Sequence, residues 1–228
     1  MSTIADNIQL VSSRIQAAVT AANRAENSVQ LLAVSKTKPV QALREAYAAG
    51  LRDFGENYLQ EALGKQLELA DLPLIWHFIG PIQSNKTRAI AEHFDWVHSV
   101  DRLKIAQRLS EQRPAELPPL NICVQVNVSG EASKSGCTPA DLPALAAAIS
   151  ALPRLKLRGL MAIPEPTDDR AEQDAAFAAV QKLQASLDLP LDTLSMGMSH
   201  DLESAIAQGA TWVRIGTALF GARDYSQS

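Results

Sequence analysis

The apolar positions of this chain follow one period up to about residue 28 and another after it. In the first stretch Ile4, Ile8, Val11, Ile15 and Val19 recur at spacings of three and four, which makes one stripe of an amphipathic helix expected to end near Asn27 and Ser28. Beyond it, short apolar runs alternate with helical stretches. Leu31–Val34 leads into Ser35 and Lys36, Asp53–Gly55 into Glu56 and Asn57, Leu74–Ile79 into Gly80, and Trp96–His98 into Ser99 and Asp101. Ile122–Val126 leads into Asn127, Leu155–Leu160 into Met161, Leu194 and Ser195 into Met196–Gly197–Met198, and Trp212–Val213 into Arg214 and Gly216. The second run is short and the seventh is followed by a glycine, so these are the weakest strand signals.

The helices between these runs carry their own punctuation. Pro39 suits a first helical residue and Gly50 the position just past that helix. Thr138-Pro139-Ala140-Asp141 reads as a cap, a first-position proline and an acidic first turn, followed by a buried stripe of Leu142, Leu145, Ile149 and Leu152. Phe177, Val180, Leu183 and Leu187 form a similar stripe later. Strands alternating with helices imply a parallel sheet with right-handed crossovers. Eight such units in about 200 residues favour a closed (β/α)8 TIM barrel, with the first helix as an extra element and residues 1–228 as a single domain. The open doubly wound sheet is the alternative, but it would be marked by a GxGxxG turn after the first strand, and none is present.

Composition narrows the function classes. Of the 228 residues 46% are hydrophobic, enough for a large core, and 21 Lys and Arg against 25 Asp and Glu give a net charge of -4. That balance argues against a nucleic-acid or anionic-membrane partner, which needs a basic face. Two cysteines, Cys123 and Cys137, make neither a disulfide framework nor a metal set. The first residues lack the basic start and apolar run of a signal peptide, and no stretch approaches the ~20 apolar residues of a membrane span. A reducing cytoplasm is the expected location.

In a barrel of this kind the chemistry sits at the C-terminal ends of the strands. Lys36 ends the first run, where desolvation and the nearby charge of Lys38 would favour the neutral amine, a nucleophile toward an aldehyde. The competing reading is a solvated loop lysine. Ser199-His200-Asp201 and Gly216-Thr217 follow the seventh and eighth runs, where barrels build phosphate cups from hydroxyls, a glycine and helix-opening amides. Here Ser199 competes as a mere N-cap and Gly216 as a turn residue, and Asp201 and Glu203 are expected to point outward. Arg214 alternates inward with Trp212, so a ring nitrogen or a carboxylate is expected to face it; an internal salt bridge competes evenly.

These features ask for one ligand with an aldehyde, a phosphate and a ring. The blocks LLAVSKTKP (31–39), FGENYLQEA (54–62), WHFIGPIQSNK (76–86), SVDRLKIAQRL (99–109), SKSGC (133–137), RGLMAIP (158–164), LSMGMSHDLESAI (194–206) and VRIGTALFGARDY (213–225) come in order along nearly the whole chain. In them the sequence closely resembles the pyridoxal phosphate homeostasis proteins of the YggS/PROSC type. The resemblance implies a monomeric barrel like the N-terminal domain of alanine racemase. It implies pyridoxal 5′-phosphate (PLP) held as a Schiff base on Lys36, its phosphate on Ser199, Gly216 and Thr217, its pyridine nitrogen facing Arg214 and its ring lined by Asn57. Met161 and Met196 are expected near the pocket wall or in the core, Lys134 near the pocket mouth and outside the main site, and His77 inside the barrel as a satisfied histidine.

The resemblance also implies a role in intracellular vitamin B6 balance, as a non-catalytic carrier or buffer of PLP. A cation at the ring nitrogen disfavours its protonation and so weakens the ring as an electron sink. A racemase needs a second acid/base opposite Lys36, and the few residues after Gly221 leave no room for the domain that supplies one in alanine racemase. PLP-accepting apo-enzymes are the partners implied, by transient contact. A PLP-dependent racemase or lyase of narrow range stays open as an alternative, with a Schiff-base aldolase behind it.

Overall fold

Each short apolar run pairs in parallel with the next, and the last pairs with the first. In the computed structural model, which describes residues 2–130 and 135–222, the strands are β1 (Gln30–Val34), β2 (Asp53–Glu56), β3 (Ile75–Phe78), β4 (Trp96–Val100), β5 (Leu120–Gln125), β6 (Leu155–Met161), β7 (Thr193–Ser195) and β8 (Trp212–Ile215). They form a closed barrel in chain order, sealed where Gln30 to Ala33 of β1 lie against Trp212 to Ile215 of β8. The helices are α1 (Ile4–Ala21), α2 (Val40–Ala48), α3 (Leu59–Glu68), α4 (Thr87–His93), α5 (Leu103–Gln112), α6 (Leu142–Ser150), α7 (Arg170–Ala185), α8 (Leu202–Ala207) and α9 (Thr217–Phe220). Among the described residues no helix is long and apolar enough to cross a membrane.

Alternation along the strands sorts side chains into two cores. Outward-facing Phe54, Trp76, Phe78 and Val213 meet the helices, where Phe54 contacts Trp76 and Phe78 packs edge-on against Phe94. The other face points into the barrel. Trp96, Cys123 and Met161 form a small cluster there, with His77 and Trp212 against Trp96. Both cysteines are buried and unbridged.

Three boundaries differ from the sequence-based expectation. α1 ends at Ala21 rather than near Asn27, because Asn23 takes a left-handed conformation (φ 51°) and its amide and that of Arg24 close onto Thr20 and Val19 carbonyls. Pro39 precedes α2 as its extended N-cap instead of opening it, while Gly50 (φ 106°) ends the helix as expected. The Thr138 hydroxyl does accept from the Asp141 amide, but as a separate turn; α6 starts at Leu142 with Pro143 inside its first turn.

The extra helix α1 is tied to the loops that follow the last two strands. A reciprocal Thr3–Asp6 capping box opens it, and Ile8, Val11, Ile15 and Val19 bury its apolar stripe. From its polar side Asn7 donates to the Leu219 carbonyl, and Arg14 pairs with Glu203 and donates to the Ser199 carbonyl.

Candidate functional site

β1 runs out into Ser35, Lys36 and Thr37, and the residues on either side of the lysine are tied down. The Ser35 amide extends the ladder to the Gly55 carbonyl, and its hydroxyl donates to Glu56 Oε1 at 2.6 Å. Lys65 of α3, buried beneath, places Nζ 2.6 Å from the Ser35 carbonyl, 2.7 Å from Glu56 Oε1 and 2.6 Å from Glu61 Oε1. Glu61 Oε1 also accepts the Thr37 amide at 2.6 Å, across a left-handed Thr37 (φ 62°). Burial pushes the Glu56 carboxyl above its ordinary range, opposed by Lys65 and Ser35, and its Oε2 has no partner among the described residues. Lys38, expected as a like-charged neighbour of Lys36, places its ammonium on the carbonyls of Phe220, Gly221 and Ala222, beyond α9.

The adjoining part of the rim comes from the loops after β7 and β8. Gly197 (φ 97°) turns the chain, and Asp201 Oδ1 accepts the Met198 amide at 2.6 Å to close a tight turn. Asp201, not Ser199, is the N-cap position of α8. Asp201 is buried, and so departs from its expected outward orientation because its carboxylate is used within its own loop; Glu203 does point outward, to Arg14. A Cβ on Gly216 would lie 3.2 Å from the Val34 carbonyl oxygen, so glycine lets the β8 loop close against the end of β1. Thr217 opens α9, whose first amides have no helical acceptor.

Arg214 projects from β8 into the interior and is buried. Its Nη1 donates to the Ser195 carbonyl at 2.7 Å and Ser195 Oγ at 2.9 Å, and Nη2 donates to the Ala162 carbonyl at 3.0 Å. No carboxylate is bonded to it among the described residues, so the internal salt bridge is not what holds it. Desolvation pulls its pKa down to about 10, against the opposing field of Asp201, which leaves a cation at neutral pH.

Lys36, Asn57, Ser199, Arg214, Gly216 and Thr217 all line one cavity of about 250 Å³, with Val34, Ile79 and Ile163 as its apolar walls and Met198 and His200 beside Ser199. A second cavity of about 360 Å³ shares Asn57, Ile79 and Ile163. Met161 and Met196 are wholly buried and wall neither cavity, so of the two places expected for them the core is the one they take: Met161 belongs to the interior cluster and Met196 to the larger core. His77 is buried inside the barrel with both ring nitrogens bonded. Lys134 lies outside the described residues.

The donor set fits a small phosphorylated aldehyde with an aromatic ring. It combines an amine, a guanidinium with a neutral bonding shell, two hydroxyls of which that of Thr217 stands at the opening amides of α9, and the buried Asn57 Oδ1, which has no partner among the described residues. Sequence reasoning missed Ser195, His98, Glu56 and Lys65. Strand alternation pointed to some of them, since His77 pairs with Trp96 and His98 lies two residues further along the same inward face.

Residues 4–224 match the family of alanine racemase N-terminal domains. A Pseudomonas aeruginosa protein named pyridoxal phosphate homeostasis protein is 77% identical over 225 residues, covering 99% of this chain and 98% of that protein. The Escherichia coli K12 protein of the same name is 54% identical over 237 residues, covering 100% of both. The solved structure of PipY from Synechococcus elongatus PCC7942 with PLP bound has a TM-score of 0.85 at 45% identity, covering 96% of this chain and 100% of that one.

Proposed function

Since this chain belongs to the alanine racemase N-terminal domain family, and within it to the pyridoxal phosphate homeostasis proteins, we propose that it binds PLP in the Lys36 cavity and serves intracellular PLP balance as a non-catalytic carrier. The observation that carries this reading is the convergence of Lys36, Arg214, Ser199 and Thr217 on one cavity. When bound, the cofactor supplies an electrophilic aldehyde and an aromatic ring able to withdraw electrons.

Lys36 Nζ is the amine that would hold the cofactor's aldehyde carbon, and its neighbours hold the lysine's backbone at the rim. Ser199, Thr217 and the amides that open α9 grip the phosphate, and Gly216 lets that loop approach. Arg214 would face the ring, where its positive charge would disfavour a protonated pyridine nitrogen and so weaken the ring as an electron sink. Asn57 lines the ring. Among the described residues that line the cavity, His200 is the one imidazole, and it adjoins Ser199 in the loop assigned to the phosphate rather than to the reacting carbon. That lining favours storage over proton transfer. The whole chain acts as one PLP-binding unit and a monomer, meets PLP-accepting apo-enzymes transiently, and works in the reducing cytoplasm that its two unbridged cysteines suit.

A racemase or lyase of narrow range is the second reading, favoured by the adjoining 360 Å³ cavity, which offers room for an amine substrate. Two measurements decide. PLP added to the protein should produce a visible absorption band that Lys36→Ala lacks, with the variant's far-UV circular dichroism unchanged. A band that the variant retains through denaturation would overturn the assignment. In heavy water, a panel of amino acids should show no α-proton exchange; catalytic exchange would overturn the carrier reading.

A further inference from the structure

Four buried or half-buried polar groups that the cavity leaves unused form one hydrogen-bonded line across the barrel interior and end on Arg214. Asp53 Oδ1 lies 2.9 Å from His77 Nε2, and His77 Nδ1 lies 2.9 Å from His98 Nε2. His98 Nδ1 lies 2.7 Å from Ser195 Oγ, and Arg214 Nη1 lies 2.9 Å from the same oxygen. The line starts at the first residue of β2, crosses β3, β4 and β7, and reaches β8 at the cavity.

Its direction follows from what each group can do. A guanidinium only donates, so Ser195 Oγ accepts from Arg214 and gives its own proton to His98 Nδ1. A neutral His98 then donates from Nε2 to His77 Nδ1, and His77 donates from Nε2 to the Asp53 carboxylate. The opposite polarity fails at the far end, where it would set a bare His77 nitrogen against that carboxylate. Both imidazoles and Ser195 are fully buried. Trp96 stacks on His77 at 5.5 Å and Trp212 lies 4.9 Å from it, so the rings are fenced by indoles. Desolvation lowers the pKa of both histidines, and His98 is lowered further by the charges of His77 and Arg214.

Arg214 has five N–H groups, and three are spent on Ser195 and Ala162. Nε–H and one Nη2–H have no partner among the described residues, and the side chain lines the cavity. We propose that Ser195, His98, His77 and Asp53 are positioning residues, a one-way hydrogen-bond line that locks Arg214 with its remaining donors toward the cavity and so sets how the guanidinium meets the ring of bound PLP. The inference rests on the reading of the cavity as a PLP site. Orientation by carbonyls and a histidine-polarised hydroxyl leaves the full positive charge available, which a bonded carboxylate would partly cancel.

Two readouts keep the failure of this inference apart from the failure of the cavity reading. The first uses the cofactor-free protein and nitrogen-15 NMR of its imidazoles at neutral pH, with His93→Gln and His200→Gln removing the other two histidine signals. His77 and His98 should both carry their proton on Nε2. An Nδ1–H tautomer or a doubly protonated ring at either position overturns the line whatever the cavity binds. The second uses the loaded protein. Ser195→Ala should shift the visible band of bound PLP and weaken its binding about tenfold, the low end for one hydrogen bond to a charged group, while Ser195→Thr, which keeps the hydroxyl, stays near the parent. A Ser195→Ala protein with the parent's band and affinity overturns the positioning role. A parent that takes up no PLP overturns the cavity reading instead.

Discussion

On either side of Lys36 the backbone is tied to one buried ion-pair cluster, through the Ser35 carbonyl on Lys65 and the Thr37 amide on Glu61. Such a cluster is costly to half-dismantle. Lys65→Met leaves the Glu56 carboxylate buried and unpaired, and it should lower the unfolding free energy by about 3–5 kcal/mol. The double replacement Glu56→Gln with Lys65→Met removes the charge as well and should lose less. Urea denaturation checks both, and a double variant as unstable as the single would contradict the ion-pair account. Elsewhere on the rim Ser199→Ala should weaken PLP binding by roughly 1–3 kcal/mol, the scale of a hydrogen bond to a charged phosphate. Equilibrium titration measures it, and unchanged affinity removes Ser199 from the phosphate grip. Ser199 and Lys36 were visible in the sequence because both follow apolar runs at strand ends. The cluster beneath Lys36 was not, since nothing along the chain shows that Glu56, Glu61 and Lys65 of β2 and α3 turn toward the end of β1.

For the elements, the period of the apolar residues carried most of the information. All eight strands stand where the short runs placed them, including the three-residue β7, whose neighbours supply the pairing that its own length does not. Helix ends were harder to read. Asn23 ends α1 early because asparagine can take the left-handed conformation that a terminating carbonyl pair demands, a choice its composition alone does not announce. Inside the layer between helices and sheet, Leu43 of α2 is fully buried. Leu43→Ala should destabilise the protein by about 2–5 kcal/mol through lost burial and a residual cavity. A loss below 1 kcal/mol in chemical denaturation would mean that α2 packs more loosely than described.

At the scale of the molecule, the barrel interior itself titrates. Burial lowers the pKa of His77 and His98 below the ordinary 6.5, so between the folded and unfolded values the unfolded chain binds protons that the folded one does not. Stability should therefore be complete above pH 6.5 and fall as the pH drops toward 5, by up to about 1.4 kcal/mol per pH unit for each imidazole. Glu56 acts in the opposite sense, because burial raises its carboxyl above 4.5 and the folded state keeps that proton longer. A urea midpoint that stays flat from pH 7 to 5 would contradict neutral interior histidines. The closed barrel was legible from eight alternating units, and so was the set of residues that share one cavity at its mouth. The polar line across its middle was not, because it joins β2, β3, β4, β7 and β8 and exists only once the sheet closes on itself.

The most direct test of the whole account is peptide mass spectrometry of the PLP-loaded protein after borohydride reduction. A reduced pyridoxyl-phosphate adduct on Lys36 is the predicted result. An adduct on another lysine, or none under saturating PLP, would contradict it.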